Sequence, residues 1–438
     1  MQDATSVSST ENREARGGFW PLRWARWGAT LILLMSIVLP NVLKGLTVVM
    51  LAGVIWLIAL AVAGKEIAWT QRRLAVGLAT VLFSAAGLFW SLYGSSLGAP
   101  GAVRVMTVYV IYPPLFFYLG VIFRQGDFKR LVTIFRVATA LVIASQVAFV
   151  LSWLGVDRGK FASLMVHLYG TLAVVDKASG FTLFTLPNVA SLMFLAPFLL
   201  TDTLVSGTGR LSSGILFTFS LLACLVAGRR AIYPVLAVSL LSIAFLGRPL
   251  LKSNDIGGRA KRGVVVLVLI GLCGLGAALA TGALNSREVV SRVMSLQKIS
   301  SDNEDSPRIK QIRALVGEVS ASPILGEGAG AAGSYRRSNS QPWAYELTYV
   351  DLLFQFGVAG LLIFCCGFIY LLNCLMRALA NVSIDTDERA AVLCFTVGLI
   401  AFAVANATNP YLAKFSYMWV LFIPVAAVAA GVDIRRSL

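Results

Sequence analysis

The sequence predicts an all-α polytopic membrane protein with about twelve transmembrane helices and a large external loop that contains short amphipathic helices. Of the 438 residues, 58% are hydrophobic and only 13% are charged, which is more apolar surface than one water-soluble core could hide. The chain also contains about twelve apolar stretches of roughly 17 to 25 residues, the length that crosses about 30 Å of hydrocarbon. These stretches centre near Leu34, Ile55, Leu82, Ile111, Val142, Leu192, Leu221, Ser239, Leu269, Ile363, Ile400 and Phe422.

Lysine and arginine are concentrated in alternate loops, and this pattern predicts the orientation of the chain. The basic segments 65–73 and 248–262 alternate with loops such as 40–45 and 406–414, which carry one cation each. Positively charged flanks stay on the cytoplasmic side of a membrane. Both termini are therefore expected in the cytoplasm, and the net charge of +16 is interpreted as a topology signal with some attraction to anionic lipid. Nucleic acid is not an expected partner.

The same pattern predicts the domain organisation. A cytoplasmic tail (1–26) precedes a bundle of about nine spans (27–282), a large external loop (283–345), a bundle of about three spans (346–432) and a second cytoplasmic tail (433–438). We expect function in the external loop, because long ordered loops are usually functional. No internal repeat of the kind found in many secondary transporters is visible, which disfavours a transporter.

Composition argues against a metal site. His167 is the single histidine, and all six cysteines lie in or at the ends of apolar segments, where cysteine behaves as a small hydrophobe. Sites rich in histidine are thereby excluded.

Residues 306–323 of the external loop have the sequence pattern of a helix. Ser306 suits the N-cap, Pro307 the first helical position, and Pro323 follows the end. An apolar stripe at spacings of three and four would lie on the membrane or on the bundle: Ile309, Ile312, Val316 and Val319.

Arg308 and Arg313 of this helix have two interpretations. They could reach toward lipid headgroups from an interfacial helix, or they could bind a phosphate. Both interpretations stay open at this point.

The motif GxGxxG follows at Gly328, Gly330 and Gly333. A dinucleotide fingerprint requires a preceding strand and a following helix, and neither is predicted here. We therefore expect a flexible or tightly turning link.

Arg229 and Arg230 interrupt an apolar run, so a very tight turn should hold them at or below the outer membrane interface. An arginine at that depth is costly unless it is hydrated or paired with an anion; alternatively, both side chains snorkel to the headgroups. A guanidinium group can bind two oxygens of a phosphate or diphosphate at once. Arg229 and Arg230 therefore suit a lipid that bears a phosphate.

Pro187 and Asn188 form a second irregular site, at the external end of a span. The proline frees backbone carbonyls, and Asn188 places an amide beside them. Simple helix initiation is the other explanation of this pair.

Five motifs follow one another along the chain. They are TLPN at the start of a mid-chain span, GRRA after the next span, then R-x4-R and P-x-L-G-E-G in the outer loop, and finally ELTYVDLLFQFGVAG. This order resembles the O-antigen polymerase and O-antigen ligase superfamily of bacterial envelope glycosyltransferases, most strongly over residues 180–364. In the ligase branch the last motif typically begins with His-Asn, whereas this chain has Glu346 and Leu347. The difference favours a polymerase.

The resemblance implies a fold similar to the GT-C type and a place in the bacterial cytoplasmic (inner) membrane, with the large loop periplasmic. It implies a substrate, an oligosaccharide carried by undecaprenyl diphosphate, and it implies no nucleotide-sugar donor, metal or cofactor. A chain-length regulator and a flippase are the protein partners that it suggests.

The implied reaction is inverting glycosyl transfer with lipid diphosphate as the leaving group, which needs a base and fixed positive charge. The expected catalytic residues are Glu346, as general base, and Arg230. The expected substrate-binding residues are Arg229, Arg308, Arg313, Asn188, Tyr345 and Tyr349. Glu346 could instead be a carboxylate that caps a helix N-terminus, and aromatic residues are common at membrane interfaces without any role in sugar binding.

Three other functions remain open from the sequence. A ligase would transfer the lipid-linked glycan to an acceptor such as lipid A-core. A lipid-linked saccharide flippase would share the spans and the cationic site, but it should carry polar residues deep in several helices. A purely structural component of an envelope assembly would need no arginine pair at membrane depth.

Overall fold

The computed structural model describes residues 20–40, 42–64, 67, 69, 71–123, 128–170, 173–176, 182–206, 210–251, 307–336, 339–381 and 386–431. Several predictions fall outside these residues. They are most of the N-terminal tail, the span centred near Leu269, the first part of the external loop with Ser306, and the C-terminal tail.

Helices dominate the described chain. They are α1 (Trp20–Val38), α2 (Lys44–Ala63), α3 (Gln71–Ser96), α4 (Ala102–Met106), α5 (Tyr112–Val121), α6 (Phe128–Trp153), α7 (Lys160–Tyr169), α8 (Leu192–Val205), α9 (Arg210–Val226), α10 (Ile232–Leu246), α11 (Arg248–Leu251), α12 (Pro307–Val319), α13 (Thr348–Ala380), α14 (Thr386–Asn406) and α15 (Trp419–Gly431). A π-helical turn (Thr107–Ile111) joins α4 to α5, and 3-10 turns (Pro187–Ser191 and Phe415–Tyr417) precede α8 and α15. The strands β1 (Val174–Asp176) and β2 (Leu183–Thr185) form an antiparallel hairpin, with Val175 opposite Phe184.

Seven helical stretches of the described chain are long and apolar enough to cross a membrane. They are Gly45–Ala63, Arg73–Ser96, Ala102–Val121, Phe128–Trp153, Pro187–Val205, Thr348–Ala380 and Thr386–Asn406. Shorter apolar helices cover Arg210–Val226, Ile232–Leu246 and Phe415–Val428. The prediction of an all-α membrane protein is therefore confirmed.

Helix α1 begins at Trp20, inside the segment that we expected to be a tail. Trp20, Trp24 and Trp27 recur at spacings of four and three, and each is more than half exposed. Tryptophan suits the boundary between hydrocarbon and water, where one end of the ring is apolar and the other polar. Helical structure can therefore start with these residues, ahead of the fully apolar stretch.

Helix α8 lies at the centre of the bundle. Every residue from Leu192 to Val205 is buried, and α9, α10 and α14 pack against it. A helix that is apolar on all faces suits either lipid or the protein interior, and α8 occupies the interior. Pro197 lies within α8, and the Thr201 hydroxyl donates to the Pro197 carbonyl at 2.8 Å.

A buried ion pair ties α8 to its neighbours. Arg136 of α6 donates to Oδ2 of Asp202 from Nη2 at 2.6 Å and from Nε at 3.0 Å. The Ser213 hydroxyl of α9 donates to the same oxygen at 2.5 Å. Because these donors compensate the carboxylate charge, the pair holds three helices together.

The two ends of the bundle differ in character. We call the end where α8 begins, at Asn188, the site end. At the opposite end Arg73 donates to the Val121 carbonyl at 2.9 Å, and Lys129 pairs with Asp387 at 3.4 Å. Basic side chains thus cap and link helices at the opposite end.

Helix α12 begins at Pro307, as predicted. Its buried residues are Gln311 and Leu315, which are 1% and 0% exposed, whereas Ile312 and Val316 of the predicted apolar stripe are 40% and 52% exposed. The stripe thus points partly away from the bundle. This orientation suits the membrane rather than the protein core.

The glycine-rich segment after α12 is a tightly turned link. Gly326, Gly328 and Gly330 have φ values of +71°, +88° and +80°, a region that side chains with a Cβ rarely adopt. The segment lies directly against α3, where the Ala329 N–H donates to the Trp90 carbonyl at 3.2 Å. The link is therefore a packed structural element, one of the two forms expected from the sequence.

This link also completes a kink in α13. Gly357 has φ 63° and ψ −172°, which breaks the helical hydrogen-bond ladder. The N–H groups of Val358 and Ala359 donate instead to the carbonyls of Pro323 and Ile324, at 2.9 and 3.1 Å. The P-x-L-G-E-G motif thus supplies the acceptors that the kinked helix lacks.

Candidate functional site

Glu346 lies at the site end, just before α13 begins at Thr348. Its Oε2 accepts a hydrogen bond from Nε of Arg308, in the first turn of α12, at 2.8 Å. The Glu346 side chain is 19% exposed and that of Arg308 is 50% exposed. The fold therefore places a predicted base and a predicted phosphate-binding cation in direct contact, although they are 38 positions apart in the chain.

The turn between α9 and α10 holds the arginine pair, and it is as tight as predicted. Gly228 has φ +66°, and the Arg229 N–H donates to the Cys224 carbonyl at 2.9 Å, which ends α9. Arg229 is partly buried and Arg230 is exposed. In the described part of the chain the buried Nε of Arg229 has no hydrogen-bond partner.

Tyr411 connects the two cation positions. It belongs to the loop after α14, is 4% exposed, and interacts electrostatically with both Arg229 and Arg308. Its ring contacts those of Phe402 and Tyr417, each with centroids 5.5 Å apart. Burial raises the pKa of Tyr411 although both arginines act to lower it, so its hydroxyl keeps its proton at neutral pH.

Asn188 is held beside this group. The Tyr417 hydroxyl donates to the Pro187 carbonyl at 2.9 Å, and Nδ2 of Asn188 donates to Ser145 Oγ at 2.8 Å and to the Val38 carbonyl at 3.1 Å. Asn188 is 1% exposed. Its amide nitrogen therefore has a structural role at the start of the 3-10 turn that leads into α8.

The two predicted tyrosines make hydrogen bonds to the backbone. The Tyr345 hydroxyl accepts from the Gly333 N–H at 2.6 Å, and burial raises the pKa of Tyr345. Its side chain is 1% exposed, which leaves no free ring face for a sugar. The Tyr349 hydroxyl donates to the Ala403 carbonyl at 2.7 Å, but Tyr349 is 41% exposed, so its ring stays accessible.

Of the four predicted cations, Arg229 is partly buried, whereas Arg230, Arg308 and Arg313 are exposed. Arg308 pairs with Glu346, and Tyr411 interacts with both Arg229 and Arg308. These four residues are here called the arginine–tyrosine cluster: Arg229, Arg308, Glu346 and Tyr411. Two guanidinium groups and a protonated hydroxyl can bind an anion, and the carboxylate can accept a proton.

An apolar cavity of about 280 Å³ lies beside this cluster, between α3, α13, α14 and α15. Thr348, Asn406 and Leu412 line it near the cluster, and Phe368 and Phe422 line it farther along the helices. Such a lining is chemically suited to hydrocarbon rather than to sugar or phosphate.

The described residues contain no cluster of side chains that could bind a metal ion. No three or more His, Cys, Asp or Glu side chains are grouped there in a way that could hold a metal ion.

Sequence analysis did not identify Tyr411 and Tyr417 as site residues. It interpreted the segment 406–414 only as a loop that carries one cation. One signal was present: a proline and several aromatic residues crowd a short link between two apolar stretches. That signal alone does not distinguish a buried tyrosine from an interfacial one.

No protein-family model matches this chain, and no curated protein matches it.

Proposed function

We propose that this protein is a bacterial inner-membrane glycosyltransferase that polymerises oligosaccharide repeat units, carried by undecaprenyl diphosphate, into a surface polysaccharide. The observation that supports this proposal most is the arginine–tyrosine cluster itself, with its cations and carboxylate beside an apolar cavity. A lipid diphosphate needs cations for its head and an apolar surface for its chain at the same place.

In the proposed reaction an acceptor hydroxyl attacks the anomeric carbon of the donor sugar. Glu346 accepts the hydroxyl proton as the new carbon–oxygen bond forms. The bond between the anomeric carbon and the phosphate oxygen breaks, and its electron pair leaves with the diphosphate. Arg229 and Arg308 stabilise the negative charge that develops there, and Arg230 and Arg313 are proposed to assist from the exposed side.

The proposed topology has twelve spans with both termini in the cytoplasm. In this topology the end with Arg73 and Lys129 is the cytoplasmic face, and the arginine–tyrosine cluster lies at the outer face. Helix α10 runs away from the site end, because Gly247 after it lies against Leu393 in the first half of α14, whereas α12 lies at the site end. The predicted span centred near Leu269 falls between them and outside the described residues.

A flippase is less well supported than an enzyme. A path for a charged headgroup needs polar groups along its length. Inside the described bundle, Arg136 and Asp202 make two hydrogen bonds with each other in the last turn of α8, and Ser213 makes a third with Asp202. Such a compensated pair has a structural explanation.

The test is the length distribution of lipid-linked and surface glycan in a bacterial strain that lacks this protein. We expect single repeat units in this strain and a full ladder when the native protein is restored. Glu346→Gln should leave single units, because an amide cannot accept the proton. The matched control is Glu318→Gln, since Oε1 of Glu318 accepts the Ser334 N–H at 2.7 Å and an amide oxygen can do the same.

Three other outcomes would contradict or change this assignment. A ladder restored by Glu346→Gln would remove Glu346 as base. Long polymer that accumulates on the lipid carrier without reaching its final acceptor would identify a ligase. Unchanged glycan in the strain without the protein would contradict both enzyme assignments.

A further inference from the structure

Buried polar atoms without hydrogen-bond partners gather at the site end. In the described part of the chain, Nε of Arg229, the hydroxyl oxygen of Tyr411 and Oδ1 of Asn188 are each buried and unpaired. Buried polar groups in native proteins are almost always paired, because an unpaired one loses its hydration without compensation. Two of these atoms, on Arg229 and Tyr411, belong to the arginine–tyrosine cluster and indicate a place that a polar ligand completes.

Tyr411 is the most informative of the three. Asn188 already makes two hydrogen bonds through its nitrogen, whereas the Tyr411 hydroxyl makes none. It is a donor held in the protonated form, and it interacts with both Arg229 and Arg308. The Tyr411 hydroxyl lies near two cations and can itself donate a hydrogen bond. It is therefore complementary to a ligand with several negatively charged oxygens.

We propose that Tyr411 is a specificity-determining residue whose hydroxyl donates a hydrogen bond to the diphosphate of the lipid-linked donor, together with Arg229 and Arg308. This inference rests on the proposed function and adds a residue to its leaving-group site. The tyrosine keeps its proton throughout: the anomeric carbon–oxygen bond breaks, the phosphate oxygen takes the electron pair, and the hydrogen bond strengthens as that charge grows.

Aromatic packing does not account for the hydroxyl. The Tyr411 ring packs against Phe402 and Tyr417, and a phenylalanine would make the same ring contacts. The hydroxyl would then be a buried group with an energetic cost and no role. A ligand that accepts its hydrogen bond removes that difficulty.

The experiment measures the binding of farnesyl diphosphate and farnesyl monophosphate to the purified full-length protein in detergent. The variant is Tyr411→Phe. The matched control is Tyr169→Phe, because Tyr169 is also buried at the site end but its hydroxyl already donates to the Val38 carbonyl at 3.1 Å. Thermal unfolding without ligand is measured for each protein.

We expect Tyr411→Phe to weaken farnesyl diphosphate binding ~10- to 100-fold, the range of one hydrogen bond to a charged group, and to weaken the monophosphate less. Its unfolding temperature should be unchanged or higher, since an unpaired buried hydroxyl is removed. Tyr169→Phe should unfold at a lower temperature and bind both ligands normally.

Equal affinity of native protein and Tyr411→Phe for farnesyl diphosphate would overturn this inference alone, as would equal losses for both ligands. Native protein that binds neither ligand would overturn the inference together with the diphosphate part of the proposed function. The length distribution of the glycan would then still test the polymerase assignment independently.

Discussion

Arg229 and Arg230 follow one another in the chain but have different surroundings. The left-handed backbone at Gly228 turns the chain sharply, so that Arg229 is partly buried near Tyr411 while Arg230 is exposed. A cation that is partly removed from water binds an anion more strongly than an exposed one, because less solvent screens the attraction. For the proposed reaction, this difference favours Arg229 over Arg230 as the inner contact to a diphosphate, and the catalytic role of Arg230 stays a prediction.

This difference gives a prediction at the residue scale. Arg229→Lys keeps the charge but loses the planar fork and its buried Nε, so we expect polymer formation to fall at least ~10-fold, the effect of about 1.4 kcal/mol. Arg230→Lys at the exposed position should cost less than about threefold. Both variants are compared in the strain that lacks the native protein, by the amount of glycan longer than one repeat unit.

Membrane levels of both variants are the control. Equal losses in the two variants at equal protein levels would contradict the assignment of the inner contact to Arg229. A larger loss in Arg230→Lys would favour the role that the resemblance gives to Arg230.

At the scale of elements, the kink in α13 and the glycine-rich link form one structural unit. Gln355 of α13 accepts the Gly330 N–H through Oε1 at 2.6 Å and donates to Asp351 at 2.5 Å. Much of the ELTYVDLLFQFG motif is thereby explained by packing: it fixes the link against α13. Because Glu346 lies just ahead of α13 and Arg308 on α12, this unit sets the distance between them.

Gly357→Ala should break this unit. A Cβ at Gly357 would lie 2.2 Å from the Ile324 carbonyl oxygen, and its φ is +63°, so we expect a loss of roughly 2–4 kcal/mol in stability. Glycan polymerisation should fall as the Arg308–Glu346 contact loosens. Thermal unfolding in detergent measures the first effect, and the glycan ladder measures the second.

Gly367→Ala in the same helix is the control for that substitution. Its Cβ would meet the nearest Phe83 carbon at 3.4 Å, an ordinary contact, so the change should stay within about 1 kcal/mol. Equal unfolding temperatures for the two variants would show that the kink is not required for stability.

At the scale of the whole molecule, the candidate site lies at one end of the bundle only. The arginine–tyrosine cluster, the glycine-rich link and the hairpin of β1 and β2 lie at the site end. Arg73 and Lys129 lie at the opposite end. With the alternation of basic loops along the sequence, this placement predicts that the site end faces away from the cytoplasm.

Cysteine labelling tests this orientation. In a chain whose native cysteines are replaced, Ser334→Cys at the site end should react with a membrane-impermeant maleimide in intact cells. Lys129→Cys at the opposite end should react only after the cells are permeabilised. Both positions are exposed, so accessibility within the protein does not limit the reaction. The reverse labelling pattern would place the cluster in the cytoplasm and contradict a reaction on the outer face.

The sequence by itself determined the class of fold and several local structures. Apolar content and the length of apolar stretches depend on composition alone, so the all-α membrane architecture could be predicted before any contact was known. Pro307 at the start of α12 was predictable too, because proline suits the first helical position. The tight turn at Arg229 and Arg230 was predictable from the length of the apolar run that they interrupt.

Only the tertiary structure decided which of the polar residues meet. Arg229, Arg308, Glu346 and Tyr411 come from four separate parts of the chain, and their approach depends on how α9, α12, α13 and α14 pack. Burial is likewise a property of packing, so the sequence could not show that Tyr345 is enclosed or that the Tyr411 hydroxyl is unpaired. Local pattern fixes helices because their hydrogen bonds join near neighbours in the chain, whereas a site formed by distant residues exists only once the helices have packed.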